Sequence, residues 1–341
     1  MATPWQEIIN ETKDGAVSNR ALIEEFLADS DIGPKTVEKY RAHLSEFAEW
    51  LDKPLLKTDR RQVKRFLAYL KTDEREARDR ARPVTAQKGW RGGLSPSTRK
   101  GYLGAIRELF RYCADMYDLD HDPTFAIAAP KIQHSPGLTI RADEVRKFLD
   151  APGRERDRVQ AYLLVFTAAR SGEIRGLRWD DIDFRNDEIN FLTKFAKHNA
   201  VPIHPELKVA LMRWKKAQGR AAETNPMIAA ALSDPDRAFV LLTTNGKPLA
   251  HSTVAKQVKW RAARVGLRLH TGSTTVGLEN KSKLHPHVLR RSWATLMLNS
   301  GKATLDEIAE MLNHSSTETT KTHYAFAASS RKRRTASAFN V

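Results

Sequence analysis

Residues 169–183 read Ala169-Arg170-Ser-Gly-Glu173-Ile-Arg-Gly-Leu-Arg-Trp-Asp-Asp-Ile-Asp183. They follow a run carrying Tyr162, Leu163, Val165 and Phe166, whose spacing predicts a mostly apolar helix over 155–169. A guanidinium at the end of such a helix is costly without an anionic partner. Glu173, three residues on, supplies one, and a bound anion would be another. On this stretch alone, an Arg–Glu pair at a helix junction and an anion site serve equally well. The acidic cluster Asp180–Asp183 then marks a turn, and two short runs at 189–192 and 200–203 predict a strand pair with Lys194 and Lys197 at its tip. The expected centre is therefore helical, with a small sheet beside it.

On either side of this centre, apolar periodicity predicts helices near 140–150, 205–218, 252–265, 286–299, 303–312 and 317–328. His287 and Arg290 are three apart after Pro286 and share one face of the 286–299 helix. Arginine offers a planar fork to phosphate oxygens and imidazole exchanges a proton near neutral pH, so the pair has mechanistic sense. By itself His-x-x-Arg is common on solvated faces. His314 follows the apolar positions Leu305, Ile308 and Leu312, and Ser315 to Glu318 fits a capping box opening the next helix, which carries Tyr324. A phenol has an unperturbed pKa of about 10, so it attacks phosphorus only where cations and a proton acceptor assist it. Lysine at the strand tip could reach a leaving oxygen, with a solvated turn lysine as the plain reading and Lys197 as the rival of Lys194.

The first part of the chain is a basic helical region. Val37, Tyr40, Leu44, Phe47 and Leu51 define one buried face of a helix over 34–51. Val63, Phe66, Leu67 and Leu70 repeat the pattern after Thr58 and Asp59, with Arg61, Lys64 and Arg65 on another face. Ser95-Pro96 opens a further helix through Tyr102, Ile106, Leu109, Phe110 and Cys113, with Arg99, Lys100, Arg107 and Arg111 outside. Of these cations, Arg61, Lys64, Arg65, Arg99, Lys100 and Arg107 are the candidate DNA contacts. The charge-crowded residues 72–94 read as a loop, and Pro130 and Pro136 mark an extended linker between two domains.

Bulk composition narrows the class. The 341 residues carry 57 Lys and Arg against 41 Asp and Glu, a net charge of +16, which suits a polyanionic partner, nucleic acid above all. Without an apolar run of about 18 residues or a signal peptide, a cytoplasmic protein with no membrane partner is expected. The single cysteine, Cys113, excludes an internal disulfide and a thiolate metal site. His285, His287, His314 and His323 sit among Arg290, Arg291 and Lys321, cations that repel a metal ion, and no Gly-rich phosphate loop is present, so no cofactor is expected.

In order, the 169–183 stretch, Thr193-Lys194, Val201-Pro-Ile203, His285-Pro-His287-Val-Leu-Arg290, Leu312-Asn-His314-Ser-Ser316, a Thr-Thr pair and Tyr324 resemble the tyrosine recombinase, or phage integrase, family over residues 139–328. Residues 36–40 and 97–102 resemble, more loosely, its core-binding domain. The resemblance implies a mainly α fold: an N-terminal helical (SAM-like) core-binding domain at 1–128, a linker at 129–138, an α-rich catalytic domain with a small β-sheet at 139–328, and a basic tail at 329–341. It further implies that Arg170 and Arg290 clamp the scissile phosphate and that Tyr324 attacks to leave a 3′-phosphotyrosyl linkage. Lys194 would protonate the departing 5′ oxygen, His287 would assist at the nucleophile, His314 would hydrogen-bond the phosphate, and Glu173 would support the arginines. Partners would be double-stranded DNA with specific target sites, a homotetramer on that DNA, and accessory proteins, in a bacterial or phage-type nucleoid setting. The short N-terminal stretch leads us to expect no additional arm-binding domain. Three departures stand out: Asn313 where glycine is common, Arg291 where a second histidine is frequent, and ten positions between His314 and Tyr324 where nine is usual. A topoisomerase of related chemistry and a non-catalytic DNA-binding regulator of the same fold are the competing readings.

Overall fold

The computed structural model describes residues 17–72, 93–132, 137–192, 198–271, 274–276 and 284–313. The chain divides into two compact units, 1–133 and 134–341, each with its own apolar core.

The first unit contains α1 (Asn19–Asp29), α2 (Pro34–Leu51), α3 (Arg60–Tyr69) and α4 (Pro96–Tyr117). Local chemistry sets their ends. Asp59 accepts from the Gln62 N–H at 2.9 Å while Gln62 accepts from the Asp59 N–H at 2.9 Å, a reciprocal box that starts α3. Ser95 caps α4 by accepting from the Thr98 N–H at 3.2 Å, with Pro96 in the first turn. Asp52 and Asp118 end α2 and α4 in the left-handed region, at φ 52° and 46°. The apolar stripes then meet: Phe47 and Phe66 are fully buried with ring centroids 4.8 Å apart. Helix α1, not among the helices expected from the sequence, contributes Leu22, Ile23, Phe26 and Leu27 to this core. Its Glu25 accepts from the hydroxyls of Tyr112 and Tyr117, both at 2.7 Å, and so pins α1 to α4. Cys113 is fully buried, and burial pushes its thiol up to about 12, so it is core and not a nucleophile.

Buried in the same unit, His43 stacks on Tyr102 with centroids 3.8 Å apart, and its Nδ1 has no hydrogen-bond partner among the described residues. Burial, then the Lys39 ammonium, hold its pKa below the ordinary histidine value, against weaker raising effects of the Gly101 backbone and Glu46. Folding therefore favours the neutral ring. That contribution is present above the unfolded pKa of about 6.5 and is lost as pH falls through the depressed folded value. The urea midpoint should accordingly drop between about pH 7.5 and about pH 5.5, and His43→Phe should flatten that part of the profile. An unchanged slope in the variant would assign the acid sensitivity elsewhere.

The second unit opens with α5 (Ala142–Asp150), α6 (Glu155–Phe166) and the short α7 (Ser171–Gly176). A three-stranded antiparallel sheet follows, in the order β1 (Ile182–Asp183), β2 (Glu188–Leu192), β3 (His198–Pro202). Ile189 pairs with Ile182 on one side and Val201 on the other, and Ile189, Phe191 and Val201 face the core. Helices α8 (Pro205–Thr224), α9 (Pro226–Leu232) and α10 (His251–Arg264), a hairpin of β4 (Leu269–Thr271) and β5 (Thr274–Val276), then α11 (Pro286–Ser300) and α12 (Leu305–Met311) complete it. The fold is thus mainly α with a small sheet, as the motif order implies. Helix α6 is central, packing on α5, α8, α10 and α11, which explains why every residue from Val159 to Val165 is buried. Arg261 of α10 is buried and donates to the carbonyls of Phe148 and Leu149 at 2.6 and 2.5 Å, finishing the C-terminus of α5. Among the described residues, no helix is long and apolar enough to cross a membrane.

Candidate active site

Helix α6 stops at Phe166 because the next residues spend their hydrogen bonds locally. Thr167 Oγ1 donates to the Leu163 carbonyl at 2.6 Å and accepts from the Ala169 N–H at 3.2 Å. Ala168 takes the left-handed conformation at φ 50°. This places Arg170 at the cap position of α7, where Glu173 holds it twice: the carboxylate accepts from the Arg170 N–H at 2.6 Å and from its Nη1 at 2.8 Å. The Glu173 side chain is 9% exposed and that of Arg170 is 42% exposed, so a buried carboxylate orients a guanidinium that still reaches solvent. The ion pair at the helix junction and an anion-facing arginine are therefore the same residue seen from two sides.

Arg290, on the first turns of α11, is 3% exposed. Its Nη1 donates to the Ala168 carbonyl at 2.7 Å and its Nη2 donates to the Leu312 carbonyl. Arg170 Nη2 reaches the next carbonyl, that of Asn313, at 3.5 Å. Both arginines thus converge on one corner, where α12 ends and Asn313 turns the chain at φ 43°. The core below is made by Ala168, Ala294, Leu298, Ile308 and Leu312. Asn is among the side-chain-bearing residues that best tolerate this conformation, which removes the penalty expected for departing from glycine there. The two left-handed corners, Ala168 and Asn313, were not legible as site elements; only Asn313 carried a signal.

His287 is exposed one turn before Arg290, its ring nearly parallel to that of His285 with centroids 6.3 Å apart. Partial burial, then Arg291 and Lys259, keep His285 below its ordinary pKa. The folded structure therefore brings the Arg170–Glu173 pair and the helix that carries His287 and Arg290, two separate segments, to the backbone carbonyls of a third at 312–313. Lys194, its rival Lys197, His314, Tyr324, the 317–328 helix and the basic tail lie outside the described residues, and the chain reaches Asn313, the residue before His314, at the arginine corner. Among the described residues no group of three or more His, Cys, Asp or Glu is placed to hold a metal ion. Of the phosphate-contact candidates, Arg61, Lys64 and Arg65 are exposed on α3 and Lys100 on α4. Arg99 and Arg107 are half-buried, donating to the carbonyls of Leu94 (3.1 Å) and Ile127.

Both the sequence and the fold have known relatives. Residues 139–331 match the phage integrase family. The chain is 27% identical over 329 residues to a tyrosine recombinase XerC of Xanthomonas campestris pv. campestris (strain B100), covering 92% of this chain and 88% of that protein. It is also 27% identical over 283 residues to XerC of Pseudomonas savastanoi pv. phaseolicola (strain 1448A / Race 6), covering 80% and 85%. Its fold is similar to XerH bound to a palindromic difH substrate, TM-score 0.64 at 20% identity over 97% of this chain and 87% of that one. It is likewise similar to a lambda integrase dimer on a COC′ core site, TM-score 0.63 at 18% identity over 95% and 81%.

Proposed function

The chain belongs to the phage integrase family, and from that premise we propose how its residues carry out site-specific recombination as a tyrosine recombinase. The observation that carries the reading is the convergence of Arg170 and Arg290 on the corner that leads directly into His314 and, ten residues later, Tyr324. Fixed cationic donors lower the barrier to phosphoryl transfer because they meet the charge developing on the non-bridging oxygens without reorganising.

In the proposed reaction the Tyr324 oxygen attacks phosphorus, the P–O5′ bond breaks, and the 5′ oxygen leaves as a hydroxyl with a proton from Lys194. His287 accepts the phenolic proton, His314 and the two arginines hold the phosphate, and Glu173 keeps Arg170 aimed. One phosphodiester is exchanged for another, so the bond is conserved and a second 5′ hydroxyl can reverse the step on a new strand. The protein acts on DNA and oligomerises. A tetramer on two duplexes with specific target sites is the assembly this chemistry needs, because four strands must be exchanged, and accessory proteins would set direction. The helical domain, 1–128, would contact DNA through Arg61, Lys64, Arg65, Arg99, Lys100 and Arg107, and the catalytic domain, 139–328, through the phosphate-holding residues.

The direct test uses target duplexes selected with the purified protein and nicked near the scissile position. In EDTA and without nucleotide, a denaturation-resistant protein–DNA adduct with a free 5′ hydroxyl is expected. Specific binding with no adduct would refute the enzyme reading, and relaxation of plasmid lacking any selected site would reassign it to a topoisomerase. Affinity should also fall ~10³-fold or more between about 50 and about 200 mM salt, the slope expected for six or more phosphate contacts. A shallow slope would remove the role given to the basic face of α3.

A further inference from the structure

Arg291 stands immediately after Arg290 and one helical turn after His287. With roughly 100° between successive helical residues, it flanks His287 on the side away from Arg290. It bears on Gly137, near the start of the second unit. A Cβ at Gly137 would fall inside the Arg291 guanidinium, against its Nη1, Cζ and Nε, so the planar group lies directly on the bare backbone of residue 137. Glycine is needed there by close approach.

Neighbouring bonds make this segment a fixed strap. Thr139 exchanges two backbone hydrogen bonds with His270 of β4, at 2.9 and 2.8 Å. The Ile140 N–H donates to Ser292 Oγ at 2.9 Å, and Ser292 Oγ donates to the Val288 carbonyl at 2.7 Å, both within the core. Glu144, at the start of α5, accepts from the N–H groups of Arg141 and Arg268, each at 3.0 Å, and its Oε2 lies 2.7 Å from His270 Nε2. Consecutive residues of α11, Arg291 and Ser292, therefore both hold the strap. On its other side Arg291 is close enough to influence His285, whose ring parallels that of His287.

We propose that Arg291 is a positioning residue, locking the 137–140 strap to α11 and thereby setting the placement of His287 and Arg290 for strand cleavage. The inference rests on the recombinase reading, and it gives the arginine at the position of a frequent second histidine a task of its own. A planar guanidinium lying on a glycine backbone transmits any shift of the strap to α11, and a misplacement of about 1 Å at a reacting group costs as much as ~10²-fold in rate.

The test is a double-mutant cycle on the full-length protein with Arg291→Ala, Gly137→Ala and both together. DNA affinity, thermal midpoint and the rate of adduct formation at saturating nicked target are measured for each. Each single variant should bind DNA within about twofold of wild type and unfold at a similar temperature, yet form adduct about ten- to a hundredfold more slowly. Once Arg291 is truncated, the added methyl has nothing to displace, so the double variant should react no more slowly than Arg291→Ala. Independent, multiplying losses would overturn the proposal. So would a loss confined to DNA affinity, which would make Arg291 a direct ligand, or adduct formation at the wild-type rate in both singles. If Arg291→Ala does not fold, Arg291→Gln, which keeps the stem and a planar amide, is expected to show the same pattern. Absence of adduct from the wild-type protein would instead fail the recombinase reading, so the two failures are distinguishable.

Discussion

Tyr324→Phe should bind selected target DNA with wild-type affinity and form no covalent adduct, a loss of at least ~10³-fold in the cleavage step. The substitution removes one oxygen and leaves an aromatic ring of nearly the same volume, so neither the fold nor the electrostatic attraction to the duplex should change. Adduct mapping is the decisive measurement, by digestion of the trapped complex and identification of the peptide carrying the nucleotide. It also addresses the ten-position spacing from His314 to Tyr324. His323 is the adjacent side chain and cannot act as a phenolic nucleophile. A normal adduct in Tyr324→Phe would remove the central residue of the proposal.

Arg290→Ala should be the most damaging of the arginine changes because it acts twice. It deletes a cation proposed to hold the phosphate, and it takes a donor from each of the Ala168 and Leu312 carbonyls at a side chain only 3% exposed. A buried acceptor deprived of its partner costs ~1–3 kcal/mol, so a large fall in the urea midpoint is expected together with loss of cleavage. Arg170→Ala should separate the two effects. Its side chain is 42% exposed, and Glu173 keeps the N–H of residue 170 as a partner. The stability change should therefore be smaller than for Arg290→Ala, limited to the loss of one of the two donors that Glu173 holds, while cleavage falls ~10²–10³-fold, as when one preorganised donor is withdrawn from a developing oxyanion. Equal destabilisation by both substitutions would show that the corner does not depend specifically on Arg290.

Elements whose ends are built from neighbouring residues were readable in advance. Thr58 or Asp59, and Ser95 with Pro96, predict helix starts that the structure reproduces with Asp59 and Ser95 as the caps, because a cap is a contact between residues three apart. The stripe Leu44, Phe47 and the strand residues Ile189, Phe191 and Val201 were equally legible, since helical and strand periods alone decide which side chains share a face. Helix α1 escaped because its buried positions 21–23 and 26–27 form a broad block with Glu24 and Glu25 between them, not a narrow stripe. Hairpin β4–β5 escaped because three-residue strands are too short to display alternation.

The site divides along the same line. The identities of Arg170, Glu173, His287 and Arg290 follow from the ordered motifs, and so does the pairing of Arg170 with Glu173, because a separation of three residues at a helix start is a local relation. Packing alone sets where each guanidinium ends: Arg290 on carbonyls 122 and 22 residues away, Arg170 on one 143 residues away, and Arg291 on the backbone of Gly137. Backbone carbonyls are identical at every position and glycine has no side chain. No pattern of residue types can therefore announce these partners, and only the packing of α6, α11 and α12 brings them together.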